Sequence, residues 1–344
     1  IQDVINNASM KKEEELIKLT FAEYVEKKYG KKYLNFIKSA HPYYSEFFIL
    51  NLKNTLNVLI KDLNESEQFY TLKTGLSSLV NEIVKDLKKK KVDFKKNTYL
   101  QDVKYNKTTK LFTCICLEDN IKKEFQCKNL ISCIDVSELK QIHFFKSLKE
   151  LDSLSTQPLL RIYEQYPTKN KKSWFDKIGK VVTSSNIKYF IPIDYSNGLV
   201  MSSYTDGNYA KFWLKQMEKE NLEARLNKEL KLLFPEKKIN KPLFTEIYYW
   251  PNGASYWKKG YDSEKILKKI IKPFNMNLYL CNSNFSNKQA WIEGALESSD
   301  SVFELLSNTK LLKKSSKVKK GGSKKTKKKK MFTMDDVRKH NKIN

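Results

Sequence analysis

The residues best placed for chemistry lie between Leu278 and Leu306, LYLCNSNFSNKQAWIEGALESSDSVFELL. A short apolar strand, Leu278 to Cys281, leads through a polar loop to an amphipathic helix opened by Glu293-Gly294-Ala295. The first turn of a helix carries unpaired N–H groups and the positive end of its dipole, and Gly294 lets another chain or a ligand come close to the backbone. A strand, a ligand-sized loop and a helix start in that order suit an electron-rich ligand, a flavin or a phosphate.

Two further places carry reactive or recognising groups. Ile247-Tyr248-Tyr249-Trp250-Pro251-Asn252-Gly253-Ala254-Ser255-Tyr256-Trp257 is the densest aromatic patch of the chain, and ring faces of that kind hold cations. Arg161 sits in PLLRIYEQY; it keeps its proton near neutral pH, so it can anchor a water or an anion but cannot act as a base. His41, before Pro42, reads as a loop or capping histidine. Five cysteines (Cys114, Cys116, Cys127, Cys133, Cys281) make an odd number without C-x-x-C spacing, and Cys114 and Cys116 share one strand face. That pattern fits buried thiols in a reducing compartment and predicts no metal site.

The elements that must position these residues follow from periodicity. At 344 residues, 40% hydrophobic and 12% aromatic, the chain is long enough for two domains with sizeable cores. Residues 1–65 read as helices, through Leu16, Leu19, Phe21, Tyr24 and Val25 and again through Phe47, Phe48, Leu52, Leu56 and Leu59, with a break at His41-Pro42. A further helix is predicted to about Lys90. From Val92 the period becomes two, giving a three-stranded meander with turns at Asn106-Lys107 and Asp119-Asn120. Ser196-Asn197-Gly198 joins a hairpin, and one long amphipathic helical stretch is expected from Tyr209 to Phe234. No apolar run reaches the roughly 18 residues of a membrane span, and no signal-peptide h-region opens the chain, so the expectation is a soluble intracellular protein.

The net charge of +26 invites a nucleic-acid reading, but much of it sits in Lys88 to Lys91 and the tail. Those runs lack interleaved aromatics, and no nucleic-acid motif accompanies them, so nucleic acid is the weakest expectation.

The strand, loop and WIEGALESS run resemble the C-terminal cofactor signature W-[VI]-E-G-A-[LI]-x-S-[GS] of flavin-containing amine oxidases, the monoamine and polyamine oxidase group. The resemblance implies a mixed α/β (α+β) fold in two lobes that binds FAD. It places Trp291 and Ile292 against the isoalloxazine and Asn282-Ser283 where the family has Gly-Glu near the ribityl phosphate. Leu100, in NTYLQDV, takes the place of a residue whose backbone meets adenine, and Leu130 to Ile134 resembles the strand returning to the dinucleotide domain, with Asp135 for the usual Pro. Thr74-Gly75 keeps one glycine of the family's Gly-Gly turn. Arg161 lies nearest the position of a lysine that holds a water against the flavin, and Trp174-Phe175 resembles a downstream aromatic pair. The aromatic patch corresponds to a cage orienting the substrate amine; Trp250, Tyr256 and Trp257 are its candidates, and which of them faces the flavin stays open.

The implied division is 1–65 helical part of the substrate lobe, 66–134 and 270–308 cofactor domain, and 135–269 substrate lobe. Residues 309–330 should be an extended Lys-rich linker, for nuclear targeting or anion binding. Residues 331–344, MFTMDDVRKHNKIN, resemble the start of a cytochrome b5 domain and stop before its haem ligand, so haem would enter only if that domain were completed. The implied function is an FAD-dependent oxidoreductase acting on an amine C–N bond. This chain would be a fragment of it lacking the N-terminal dinucleotide-binding turn and inactive alone, with a small-molecule amine as substrate and a fused cytochrome b5-like domain as one candidate electron acceptor. The alternative is an amine oxidase-like scaffold without catalysis.

Overall fold

The apolar spacing of the N-terminal stretch resolves into short helices, and the computed structural model describes residues 2–62, 72, 74–219 and 221–315. They are α1 (Gln2–Ser9), α2 (Glu13–Leu16), α3 (Phe21–Tyr29), α4 (Lys31–Ala40), α5 (Tyr44–Phe48) and α6 (Leu52–Asp62). Thr20 opens α3 with a reciprocal capping box: its hydroxyl accepts from Glu23 N while the Glu23 carboxylate accepts from Thr20 N. α4 stops at Ala40 because Pro42 drives His41 into an extended conformation. Val4, Ile5, Phe21, Val25, Ile37, Phe47, Leu52 and Leu56 make these helices one core.

Gly75, at φ +79°, starts α7 (Leu76–Lys89), a helix that buries none of its side chains. The meander follows as β1 (Thr98–Asn106), β2 (Leu111–Glu118) and β3 (Ile121–Cys127), all antiparallel. Val92 to Asn97, expected as the start of its first strand, is not strand. β4 (Leu130–Ser132) is followed by Asp135, whose carboxylate accepts from Ser137 N at 2.8 Å and caps α8 (Val136–Leu139); a cap explains an acid where a proline is usual.

The next sheet is built from β5 (Leu154–Gln165), β6 (Val181–Val182), β7 (Tyr189–Asp194) and β8 (Leu199–Asp206). The expected single helix after it is two, α9 (Gly207–Glu218) and α10 (Leu222–Leu233). Breaking the stretch before Leu222 lets Trp213 on one helix and Leu226 and Leu230 on the other reach the same core with Leu160, Ile162, Phe175 and Phe190. β9 (Phe244–Trp257) completes the order β6-β7-β8-β5-β9, every pair antiparallel. It runs straight through Pro251-Asn252-Gly253, which a sheet interior would not tolerate. β9 is an edge strand, and Leu159 pairs with Trp250 while Gln157 pairs with Ala254, so three residues of β9 bulge opposite Pro158.

α11 (Ser263–Ile270) leads to β10 (Leu278–Leu280), which pairs in parallel with β4, and the chain enters α12 (Ile292–Ser315). α12 continues past the expected end at Leu306, so the first residues assigned to the linker, 309 to 315, are helical: Leu311 and Leu312 are good helix formers and no Gly or Pro intervenes. The remainder of the linker and residues 331–344 with their cytochrome b5 resemblance lie outside the described residues, as does the boundary at residue 65.

Residues 1–302 form one unit and residues 303–344 another. Inside the first unit, Val103 and Phe112 of the meander share a core with Phe145, Leu154, Trp257, Leu278 and Leu280. Packing runs continuously across residue 135, with the 136–154 stretch and the end of β9 sharing a core with β1, β2 and β10.

Candidate functional site

The loop after β10 is held from within. Asn282 donates from Nδ2 to Ile134 O at 2.7 Å and accepts from Asn284 N at 2.8 Å, while Asn284 Oδ1 accepts from Val136 N at 3.0 Å. The Asn282 amide thus straps the ends of β4 and β10 together; with Ser283 it opens a single 3-10 turn, half-buried. Gly294 explains the turn into α12: a Cβ there would sit 2.1 Å from Lys288 O. The close approach that glycine permits is made by the chain's own loop.

Trp257 anchors the same loop. It is fully buried, its indole Nε1 donates to Ser286 O at 2.9 Å, and its backbone N donates to Gln289 Oε1 at 2.8 Å. Its neighbour in the chain, Tyr256, points the other way, as strand alternation requires. Trp257 accordingly belongs to the core and cannot wall a ligand space; it positions residues 286–289.

Tyr256 lines a cleft with Glu46, Asn54, Gln289 and Trp291. Burial pushes its hydroxyl well above its ordinary pKa, with Asp206 and Glu46 adding to the effect, so it stays protonated. Trp291 and Ile292, at the mouth of α12, are 50% and 56% exposed. Leu100 is half-buried against the core at a bulge of β1, between Leu100 and Asp102.

The other candidates lie on the five-stranded sheet. Register pairs Arg161 with Tyr204 on one side and with Tyr248 on the other, and Leu159 with Trp250. The odd residues of β5 and the even residues of β9 therefore share the face turned away from α9 and α10. The Arg161 guanidinium lies over the Tyr204 ring at 4.8 Å and over the Trp250 ring at 5.9 Å, and Trp250 stacks on Tyr248 at 5.9 Å. Tyr204 and Tyr163 favour the charged form of Arg161, its Nε is buried without a partner, and no carboxylate among the described residues pairs with it. Tyr43 and Tyr189 extend the wall through contacts with Tyr204 at 5.6 and 6.0 Å.

A buried carboxylate fastens the wall to the helices. Asp206, at the end of β8, accepts from Tyr44 N at 2.6 Å and Ser45 N at 2.8 Å, capping α5 from across the fold. His41 stacks on Phe47 at 3.8 Å and bonds Glu46 at 3.1 Å, a structural post beside the cleft.

Thus Arg161 and Trp250 come together on one wall and Tyr256 and Trp291 on one cleft, while Trp257 is core and Asn282 a strap. Sequence reasoning missed Tyr204 and Tyr43 on the wall and Glu46, Asn54 and Gln289 in the cleft. Tyr204 was within reach, because LVMSSY alternates next to a strand holding Arg161; nothing local marks the others. Among the described residues no group of three or more His, Cys, Asp or Glu could hold a metal ion, and no helix is long and apolar enough to cross a membrane.

Residues 5–302 match the family described as flavin containing amine oxidoreductase. A stretch of 126 residues is 30% identical to an uncharacterized protein, R188, of Acanthamoeba polyphaga mimivirus, covering 29% of this chain and 23% of that protein. The match therefore spans under a quarter of the length of that relative. With its family match over most of its length, the chain belongs to the flavin-containing amine oxidoreductases.

Proposed function

We propose that the chain is the substrate-facing and C-terminal part of an FAD-dependent oxidoreductase that oxidises the C–N bond of an amine carrying a second, anionic group. The observation that carries this reading is the wall of Tyr204, Arg161, Tyr248 and Trp250: a cation with no carboxylate partner, set among ring faces on the uncovered side of a sheet. Arg161 would read a carboxylate or similar anion in a fork of N–H donors. The aromatic faces would pack the carbon skeleton and favour an ammonium near them.

The residues present fit a flavin edge in one respect and refuse it in another. The half-exposed Trp291 ring offers a free face against which a flat ring system could stack. Asn282 has its amide committed to Ile134 and Asn284, so it would serve a phosphate only through its neighbours' backbone. When bound, the flavin would supply the hydride acceptor. The chain's own work is then to bind the anion at Arg161, to orient the amine along the wall, and to donate a hydrogen bond from Tyr256. A fused cytochrome b5-like domain, begun by residues 331–344, would accept electrons in this reading.

The test is anaerobic bleaching of the flavin in the full-length protein by simple amines and by amines bearing a carboxylate. Bleaching by the second set at least about tenfold faster than by the first supports the reading. A full-length protein that carries no flavin sinks it in favour of the binding scaffold.

A further inference from the structure

Two thiol pairs in the molecule have opposite surroundings. Cys114 and Cys127 meet inside the meander, offset along the β2–β3 ladder, where Cys114 faces Phe125 and Cys127 faces Phe112. Burial raises both, Cys114 up to about 11, and leaves them protonated and inert at neutral pH. Cys133 and Cys281 come directly after the parallel strands β4 and β10. Ser132 pairs with Leu280, and Cys281 N donates to Ser132 O at 2.9 Å, so the ladder carries the two cysteines onward side by side. Adjacent strands lie about 4.8 Å apart, inside the Cα separation that a disulfide spans. The two thiols influence each other's ionisation, and Cys133 is exposed to solvent.

We infer that Cys133 and Cys281 form a reversible dithiol–disulfide pair at the carboxyl ends of β4 and β10, oxidised by a hydroperoxide. The neighbouring Cys133 thiol lowers the Cys281 thiol below its ordinary value, which assigns Cys281 as the nucleophile of the pair. The Cys281 thiol beside it and burial raise Cys133, which keeps its proton. The thiolate sulfur of Cys281 attacks one peroxide oxygen; the O–O bond breaks, and the leaving alkoxide takes a proton to give an alcohol, or water from hydrogen peroxide. The Cys281 sulfenic acid is then attacked by the Cys133 sulfur, the S–O bond breaks, and water leaves with the Cys133 proton. Two thiols have lost two electrons to the peroxide, and a small-molecule thiol returns them. The bond would tie the base of the loop that runs from Asn282 to Trp291, because Asn282 already bridges to the residues after β4.

The experiment uses the full chain, reduced and freed of reductant, then titrated with hydrogen peroxide while free thiols are counted. Two of the five thiols should disappear and return with dithiothreitol, and peptide mapping should join the Cys133 peptide to the Cys281 peptide. Before oxidation, iodoacetamide at pH 7 should label Cys281 at least about tenfold faster than Cys114. Cys133→Ser should leave a sulfenic acid at Cys281 that dimedone traps, and Cys281→Ser should lose no thiol. A Cys114–Cys127 crosslink, a disulfide between two chains through Cys133, or Cys281 labelling no faster than Cys114 would each overturn the inference. None of these readouts needs flavin or activity, so the inference stands or falls apart from the proposed function.

Discussion

Strand β5 carries two charged groups three residues apart, and the sheet sends them to opposite sides. Glu164 lies on the face covered by α9 and α10, buried with Ile162 and Leu160, and its carboxylate accepts from Tyr166 Oη at 2.8 Å and from Ser202 Oγ. Arg161 lies on the open face among ring systems. The covered face satisfies its charge with neutral donors and fills the rest with apolar volume. The open face leaves its charge without a counter-ion. The contrast motivates the proposed reading, in which the negative charge that Arg161 lacks would arrive with the ligand.

The comparison breaks first where a core residue and a wall residue are exchanged for alanine. Trp257→Ala, in the core, should cost about 3 to 5 kcal/mol in urea unfolding and release the 286–289 loop. Trp291→Ala, half-exposed, should cost less than about 1 kcal/mol and instead lower the flavin retained by the full-length protein. Equal stability losses for the two would erase the distinction. Arg161→Met should lower kcat/KM for a carboxylate-bearing amine by about a hundredfold, on the order of 2 to 3 kcal/mol, while a neutral amine changes little. A uniform loss across both substrates would return Arg161 to a packing role.

The smallest effect is expected from Glu164→Gln, and it is a pH effect. Burial raises the Glu164 pKa above its ordinary 4.5 against the lowering hydrogen bonds of Ser202 and Tyr166. The folded state thus holds this proton more tightly than the unfolded chain does, so the stability it contributes is complete below pH 4.5 and is lost as pH rises through the folded value. Urea midpoints across that window should fall with pH in the wild type and fall less in the Gln variant; parallel curves would mean that Glu164 does not titrate there.

Much of the fold was legible because the period of the apolar residues is a direct record of burial. The meander, the hairpin and the helices before residue 62 are local, and their signals are local too. The site was harder, for a reason that β9 makes plain. Trp250 and Tyr256 lie on even positions and Trp257 on an odd one, so alternation alone would sort cage from core once the strand is known to continue. Pro251-Asn252-Gly253 holds residue types common in turns, yet it is a bulge that adds two residues opposite Pro158 and so preserves the alternation. Asn282 is a different case: the resemblance gives its position, but its strapping of two strands depends on Ile134, a residue far away in the chain. Glu46 and Asn54 reach the cleft only because α5 and α6 dock on the end of β9, through Asn51 N to Trp257 O at 3.0 Å.

The parallel pairing of β4 with β10 also fixes an order of events. Asn284 reaches Val136 across 148 residues of chain, and three residues per strand repay that closure with few hydrogen bonds. Contacts of such long range form slowly, and they form after local helices and hairpins have shortened the effective loop. The helical core and the meander need no part of this pairing, so during refolding they should be in place while the loop carrying Trp291 is still searching. The candidate cofactor wall is then the last part of the molecule to assemble, and a ligand that holds it closed would act on the final step of folding.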